Sequence, residues 1–138
     1  MEIIRFEVPG EAQAQMRPRA TTINGQVRMY DHKKSRNYKS YVQEVAAPYM
    51  PDKPIEGPVE MKVTVYKGLL KSFSKKKRQE AIDGILLPTS RPDADNLAKT
   101  FMDALNGMAY KDDSQIVTLI AEKRYSEEPY VFIEIQTL

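Results

Sequence analysis

Apolar and polar residues alternate from Ile3 to Val8, with Ile4, Phe6 and Val8 set against Arg5 and Glu7, and a period of two predicts a half-buried strand. Pro9-Gly10 ends it. Strict alternation returns in Val59, Met61, Val63 and Val65, after a proline-rich connector from Pro51 to Pro58, and predicts a second core strand. Ile116 to Tyr125 and Tyr130 to Gln136, the latter with Val131, Ile133 and Ile135 on one face, read as two final strands, antiparallel through Ser126-Glu127-Glu128-Pro129. Elsewhere the period lengthens. Tyr38, Tyr41, Val42, Val45 and Ala46 fall at helical spacing and predict a helix from Lys34 to Ala47, stopped by Pro48. Ser74 to Ile82 reads as a short basic helix capped by Ser74 and ended by Gly84. Leu97, Phe101 and Leu105 repeat every four residues as the buried stripe of a third helix, Asn96 to Asn106, which Gly107 stops. Ala20 to Tyr30 predicts an exposed, polar hairpin, because Asn24-Gly25 tolerates the positive φ that a two-residue turn requires.

That order of elements predicts an α+β fold, a single domain over residues 1–138, with one mixed β-sheet and helices packed mainly on one face. A chain of 138 residues, 41% hydrophobic and 29% charged, suits one soluble domain. No cysteine is present, which excludes disulfides and thiolate zinc sites, and the single histidine, His32, cannot build a zinc site by itself. Any metal must therefore be held by oxygen. No stretch approaches the roughly 18 apolar residues of a membrane span, and the start MEIIRFEVPG lacks a basic region followed by an apolar one. The expected location is the cytoplasm, with no membrane partner.

Net charge is only +2, which by itself points to no partner. Its distribution changes that picture. From Gly10 to Ser40, seven bases (Arg17, Arg19, Arg28, Lys33, Lys34, Arg36, Lys39) face two acids, and from Lys67 to Arg78 six bases face none. Between Arg91 and Asp113 the sign reverses: Arg91, Lys99 and Lys111 face Asp93, Asp95, Asp103, Asp112 and Asp113. Each basic run taken singly reads most simply as a solvated surface. Two basic flanks around an acidic centre are what a phosphodiester-cutting enzyme needs, since bases attract the backbone and acids hold divalent cations.

The acidic centre opens with Arg91-Pro92-Asp93-Ala94-Asp95-Asn96. Two aspartates one residue apart, in a proline-stiffened loop that opens a helix, can aim at a single cation. The alternative is structural: Asp95 as the helix N-cap and Asp93 as a loop acid near the helix's positive end. From Asp95, helical spacing reaches Lys99, Asp103 and Asn106 as a polar stripe opposite the apolar one. Lys99 can form a surface ion pair one turn from Asp95 or reach a scissile phosphate. Asp112-Asp113 follows just before the strand near Ile116, and adjacent carboxylates there imply either a shared metal or free solvation. A loop holding Asp112-Asp113 close to Asp93 and Asp95 would make an oxygen-only cluster suited to Mg²⁺ or Mn²⁺.

Pro92-Asp93-Ala94-Asp95-Asn96-Leu97-Ala98-Lys99, then Asp103-Ala104-Leu105-Asn106-Gly107, then Asp112-Asp113-Ser114-Gln115-Ile116, resembles the RusA family of Holliday junction resolvases. Pro9-Gly10, Arg17-Pro18-Arg19 and the region from Tyr30 to Tyr38 also resemble it, so the match spans most of the chain. The resemblance implies a homodimeric, Mg²⁺-dependent endonuclease that nicks opposing strands of four-way DNA junctions. By motif position, Asp93, Asp95 and Asp113 match essential metal-binding aspartates, Asp112 the neighbouring acid, and Lys99 the catalytic lysine. The expected phosphate-holding residues are Arg17, Arg19, Lys33, Lys34, Arg36, Lys39, Lys75, Lys76, Lys77 and Arg91. Three other readings stand beside this one. They are a binding module whose acids only cap and solubilise, a nuclease of flaps, other branched DNA or RNA, and a phosphatase or nucleotide-sugar transferase using an Asp-x-Asp motif. In the last two enzyme classes the motif usually follows an apolar strand directly, whereas Thr89-Ser90-Arg91-Pro92 intervenes here.

Overall fold

A computed structural model describes residues 2–15, 19–30 and 33–138. The strands are β1 (Ile3–Pro9), β2 (Arg19–Ile23), β3 (Gln26–Tyr30), β4 (Val59–Gly68), β5 (Ile116–Ser126) and β6 (Tyr130–Thr137). The helices are α1 (Lys33–Ala46), α2 (Lys75–Ile82) and α3 (Ala94–Ala104), with short 3-10 turns at Ala47–Tyr49 and Asp113–Gln115. Four strands form one sheet in the order β1-β6-β4-β5, while β2 and β3 form a separate hairpin. β5 runs parallel to β4, and the other neighbours are antiparallel. The sheet is therefore mixed, and the α+β reading holds.

Register explains why the alternating segments work together. Ile4 pairs with Ile135 and Ile135 with Met61; Phe6, Ile133 and Val63 form the next row, and Val8, Val131 and Val65 the third. All nine side chains are buried. Each removes most of its apolar surface from water, a contribution of about 1.5–3 kcal/mol for a fully buried aliphatic or aromatic side chain. Helices α1 and α3 cover this face through Val42 and Ala46 on one and Leu97, Ala98, Phe101 and Leu105 on the other. Tyr38 meets Phe101 edge-on at a centroid distance of 5.9 Å. The opposite face carries Arg5 paired with Glu134 at 2.6 Å and Tyr66 stacked on Tyr130 at 4.4 Å.

β5 and β6 run in opposite directions as expected, and β4 lies between them in the sheet. The connection at 127–129 crosses the end of β4, and a Cβ on Gly68 would stand 3.5 Å from the Pro129 ring. Alternation alone reveals which face a strand buries but not its neighbour. The third helix begins at Ala94, two residues earlier than its apolar stripe suggested, which moves the N-cap position from Asp95 to Asp93. The Asn24-Gly25 turn forms as expected, with φ of 51° and 78°. α2 begins after Ser74, whose hydroxyl accepts from the Lys77 amide at 3.2 Å.

Candidate active site

The loop that carries the first two aspartates is fixed by two lysines on the sheet. Lys67 at the end of β4 donates to Ser90 Oγ at 3.3 Å and to the Arg91 carbonyl at 3.0 Å. Lys123 on β5 donates to the carbonyls of Ser90 at 2.9 Å and Pro92 at 3.1 Å. Carbonyl oxygens bound to an ammonium lose much of their freedom to move, since these are charge-assisted hydrogen bonds. Neither lysine stood out as a site residue in the sequence. The signal was present at Lys67, which continues the inward-facing alternation of Val63 and Val65, a position where an amine needs an acceptor.

Asp93 takes the N-cap position of α3, yet its side chain makes no capping hydrogen bond, and Asp95 lies in the first helical turn. Both carboxylates are exposed at the positive end of the helix. An open cavity of about 370 Å³ is lined by Arg91, Pro92, Asp93 and Asn96. Pro92 also borders a second cavity of about 340 Å³, whose other walls include Gln13, Lys34 and Ser35. The segment 11–15 joins the two regions: the Gln15 amide donates to the Asn96 carbonyl at 3.2 Å, and Thr100 Oγ1 donates to the Gln13 carbonyl at 2.9 Å. The basic start of α1 is thus held beside the start of α3.

Further along α3, Lys99 is exposed one turn after Asp95. Among the described residues no ion pair joins the two. Asp103 lies one turn beyond, with Lys39 of α1 3.6 Å away. At this end the second acidic pair enters. Asp112 caps the 3-10 turn, its carboxylate accepting from the Ser114 amide at 3.0 Å, and that bond holds its carboxyl below the usual range. Asp113 is pushed the other way, by partial burial first and then by the like charges of Asp112 and Asp103 nearby. Gln115 locks the turn. Its Oε1 accepts from the amides of Lys111 (2.8 Å) and Asp112 (2.9 Å), and its Nε2 donates to the carbonyls of Ile55 (2.7 Å) and Gly57 (2.9 Å).

The four aspartates therefore fall into two groups at opposite ends of α3. Asp95 and Asp103 are separated by eight helical residues, about 12 Å of axial rise, and Asp113 lies against Asp103. Among the described residues no three His, Cys, Asp or Glu side chains are grouped so as to hold one metal ion. The described residues do not bring the two groups together, because the helix between them keeps them apart. Of the expected phosphate-holding residues, Lys33, Lys34, Arg36, Lys75, Lys76, Lys77 and Arg91 are exposed. Lys39 is the exception: its side chain is only 13% exposed and faces Asp103, so its charge serves the α1–α3 contact. Arg17 and His32 lie outside the described residues, and Arg19 is described only as a backbone position in β2. Among those described, no helix is long and apolar enough to cross a membrane.

Comparison with known proteins identifies relatives of the chain. The chain is 49% identical over 138 residues to a protein named "Uncharacterized protein YqaN" of Bacillus subtilis (strain 168), covering 99% of this chain and 97% of that one. It is 32% identical over 136 residues to the crossover junction endodeoxyribonuclease rusA of Lactococcus phage r1t, covering 94% and 93% of the two chains. The family model described as endodeoxyribonuclease RusA matches residues 9–136. With that match over nearly its whole length, and with paired aspartates opening a helix, the chain belongs to the RusA endodeoxyribonuclease family.

Proposed function

We propose that this nuclease is a Mg²⁺-dependent crossover junction endonuclease, acting as a homodimer that nicks two strands of a four-way DNA junction during recombination or repair. The observation that carries the reading is the pair Asp93 and Asp95 at the start of α3, with Asp93 free of capping duty and Lys99 one turn further on the same helix. The phage relative named a crossover junction endodeoxyribonuclease supports the choice of substrate.

The donor set suits a hard cation. Mg²⁺ binds through one or two carboxylates and completes its shell with water and substrate phosphate, a demand that each aspartate pair meets without a three-acid cage; Mn²⁺ is the expected substitute. When bound, the ion supplies a more acidic water and charge compensation at the phosphate. The residues then divide the work. Asp93 and Asp95 would hold an ion at the start of α3, Asp113 with Asp112 beside it would hold one at the other end, and Lys99 offsets negative charge gathering on the transition-state oxygens. Lys33, Lys34, Arg36, Lys75, Lys76, Lys77 and Arg91 hold backbone phosphates, which sets affinity and orientation more than sequence preference. Cleavage needs no covalent protein intermediate.

Incubation with a synthetic four-way junction, a plain duplex and a flap, each with Mg²⁺ or EDTA, tests the proposal. Wild-type protein is expected to nick the junction in Mg²⁺ alone, while Asp93→Asn and Lys99→Ala lose at least about a hundredfold in rate. A junction left intact in Mg²⁺, or cut equally well by Asp93→Asn, overturns it. Preference for the flap moves the substrate to another branched DNA.

A further inference from the structure

We propose that the capped end of α2 is a wedge for branched DNA: Ile85 at its tip, with Leu87 behind it, enters the crossover and packs against bases unstacked there. The proposal rests on the nuclease reading and names the part of the junction that this element meets. The chain leaves α2 through a tight, fully bonded turn. The Asp83 amide donates to the Gln79 carbonyl at 2.9 Å, that of Gly84 to Ala81 at 3.2 Å, and those of Ile85 and Leu86 to Glu80 at 2.9 and 3.1 Å. Gly84 supplies the positive φ, 79°, that reverses the chain. In such a helix end the residue after the glycine commonly packs on an apolar side chain in the last turns of the helix. Here the positions it would meet are Gln79 and Glu80. The backbone of Ile85 is therefore fixed while its side chain stands 71% exposed, the most of any large apolar residue among those described. Leu70, Ile82 and Leu87 are exposed in the same segment.

Charge selects the occupant. Lys71, Lys75, Lys76, Lys77 and Arg78 are all exposed in this segment, and no acid stands between Lys67 and Arg78. A polyanion that carries apolar faces between its charges matches both features, and nucleic acid is that polymer. The eight residues of α2 span about 12 Å, or three to four base steps, so phosphates held at its start leave the tip at a base step a few pairs away. Position agrees with charge. A Cβ on Gly84 would stand 3.7 Å from the guanidinium of Arg124 on β5, and the preceding residue, Lys123, holds the loop that presents Asp93. Phe73 meets Tyr125 edge-on at 5.4 Å, and Ala81 is buried where α2 packs on β5. One end of one strand thus carries both the tip and the first aspartate pair. Apolar side chains that enter a base step unstack it and kink the duplex, which here would hold the strand at the crossover within reach of that pair.

A four-way junction with 2-aminopurine beside the crossover, bound in EDTA so that no strand is cut, tests this. Wild type is expected to raise the fluorescence at least about twofold by unstacking the analogue, and to leave it unchanged in the middle of an arm. Ile85→Ser is expected to lose the signal while junction affinity falls less than about threefold, since phosphate contacts carry the affinity; Ile85→Phe should restore the signal. In Mg²⁺, Ile85→Ser should nick a fully paired junction about tenfold more slowly and recover on a junction whose crossover already holds unpaired bases. A signal kept by Ile85→Ser, or absent from wild type whether or not it binds the junction, overturns the wedge. If the signal is kept and Ile85→Ser instead lowers the mass of the free protein in sedimentation, the tip belongs to a contact between protein chains and the wedge is likewise overturned. A wild type that raises the signal but cuts nothing in Mg²⁺ leaves the wedge standing and removes the nuclease reading.

Discussion

At the residue scale the informative contrast is between Asp112 and Asp113. The sequence presents them as equivalent, and one hydrogen bond separates them: Asp112 is committed to the Ser114 amide, whereas Asp113 is turned towards another carboxylate. A carboxyl whose folded-state pKa is raised favours the native state less as pH rises, because the native protein holds the proton more tightly than the unfolded chain. Asp113→Asn is therefore expected to raise the melting temperature at pH 7 while abolishing cleavage. Its advantage should shrink as pH falls through the carboxylate range and vanish below the unfolded value, which melting curves from pH 3 to pH 8 would measure. If Mg²⁺ binds there, adding it should stabilise wild type and leave Asp113→Asn unmoved. Gln115 is the less visible residue. Loss of its four hydrogen bonds in Gln115→Ala is expected to cost about 1–3 kcal/mol in urea unfolding, and nothing in the local sequence distinguishes it from a polar residue at a strand start.

At the element scale, the start of α3 depends on β4 and β5. Two lysines hold three successive backbone positions of one loop, so Asp93 is presented by the sheet as much as by its own helix. Lys123→Met retains the stem and removes the donor. It is expected to lower the cleavage rate about tenfold or more through misplacement of the carboxylates, while affinity for a junction in EDTA changes less than about twofold. Equal loss of both would assign Lys123 to DNA binding. Strands and helices were legible in the sequence because alternation and four-residue repeats record burial directly, as in Val59 to Val65 and Leu97 to Leu105. The helix start was less so. Ala94 and Asp95 are polar or small and exposed or half-exposed, so the apolar stripe could not mark them as helical. Pairing between strands was the least legible, since the β4–β5 partnership joins residues more than fifty positions apart.

At the scale of the whole molecule, the basic residues of two separate runs stand exposed on two different helices. Lys33, Lys34 and Arg36 lie at the start of α1 and Lys75, Lys76 and Lys77 on α2, all exposed, and the aspartates follow both in the chain. A footprint of roughly six phosphates predicts a loss of about a thousandfold in DNA affinity between roughly 50 and 200 mM salt, measurable by fluorescence anisotropy. A flat dependence would remove these residues from the DNA contact. The near-neutral total was a poor guide because opposite charges cancel in a sum and not in a field.

The position of β6 has a consequence for when the enzyme exists at all. It is the last of the strands to be synthesised, yet it lies between β1 and β4 and bonds to both. Until those eight residues arrive, β1 has no partner in the sheet and the face that supports α3 is incomplete. A nascent chain therefore carries its aspartates long before it carries a floor to hold them, and DNA-cutting capacity switches on only with the closing of the sheet. Premature termination before Tyr130 should yield an inert fragment in place of a poorly controlled nuclease.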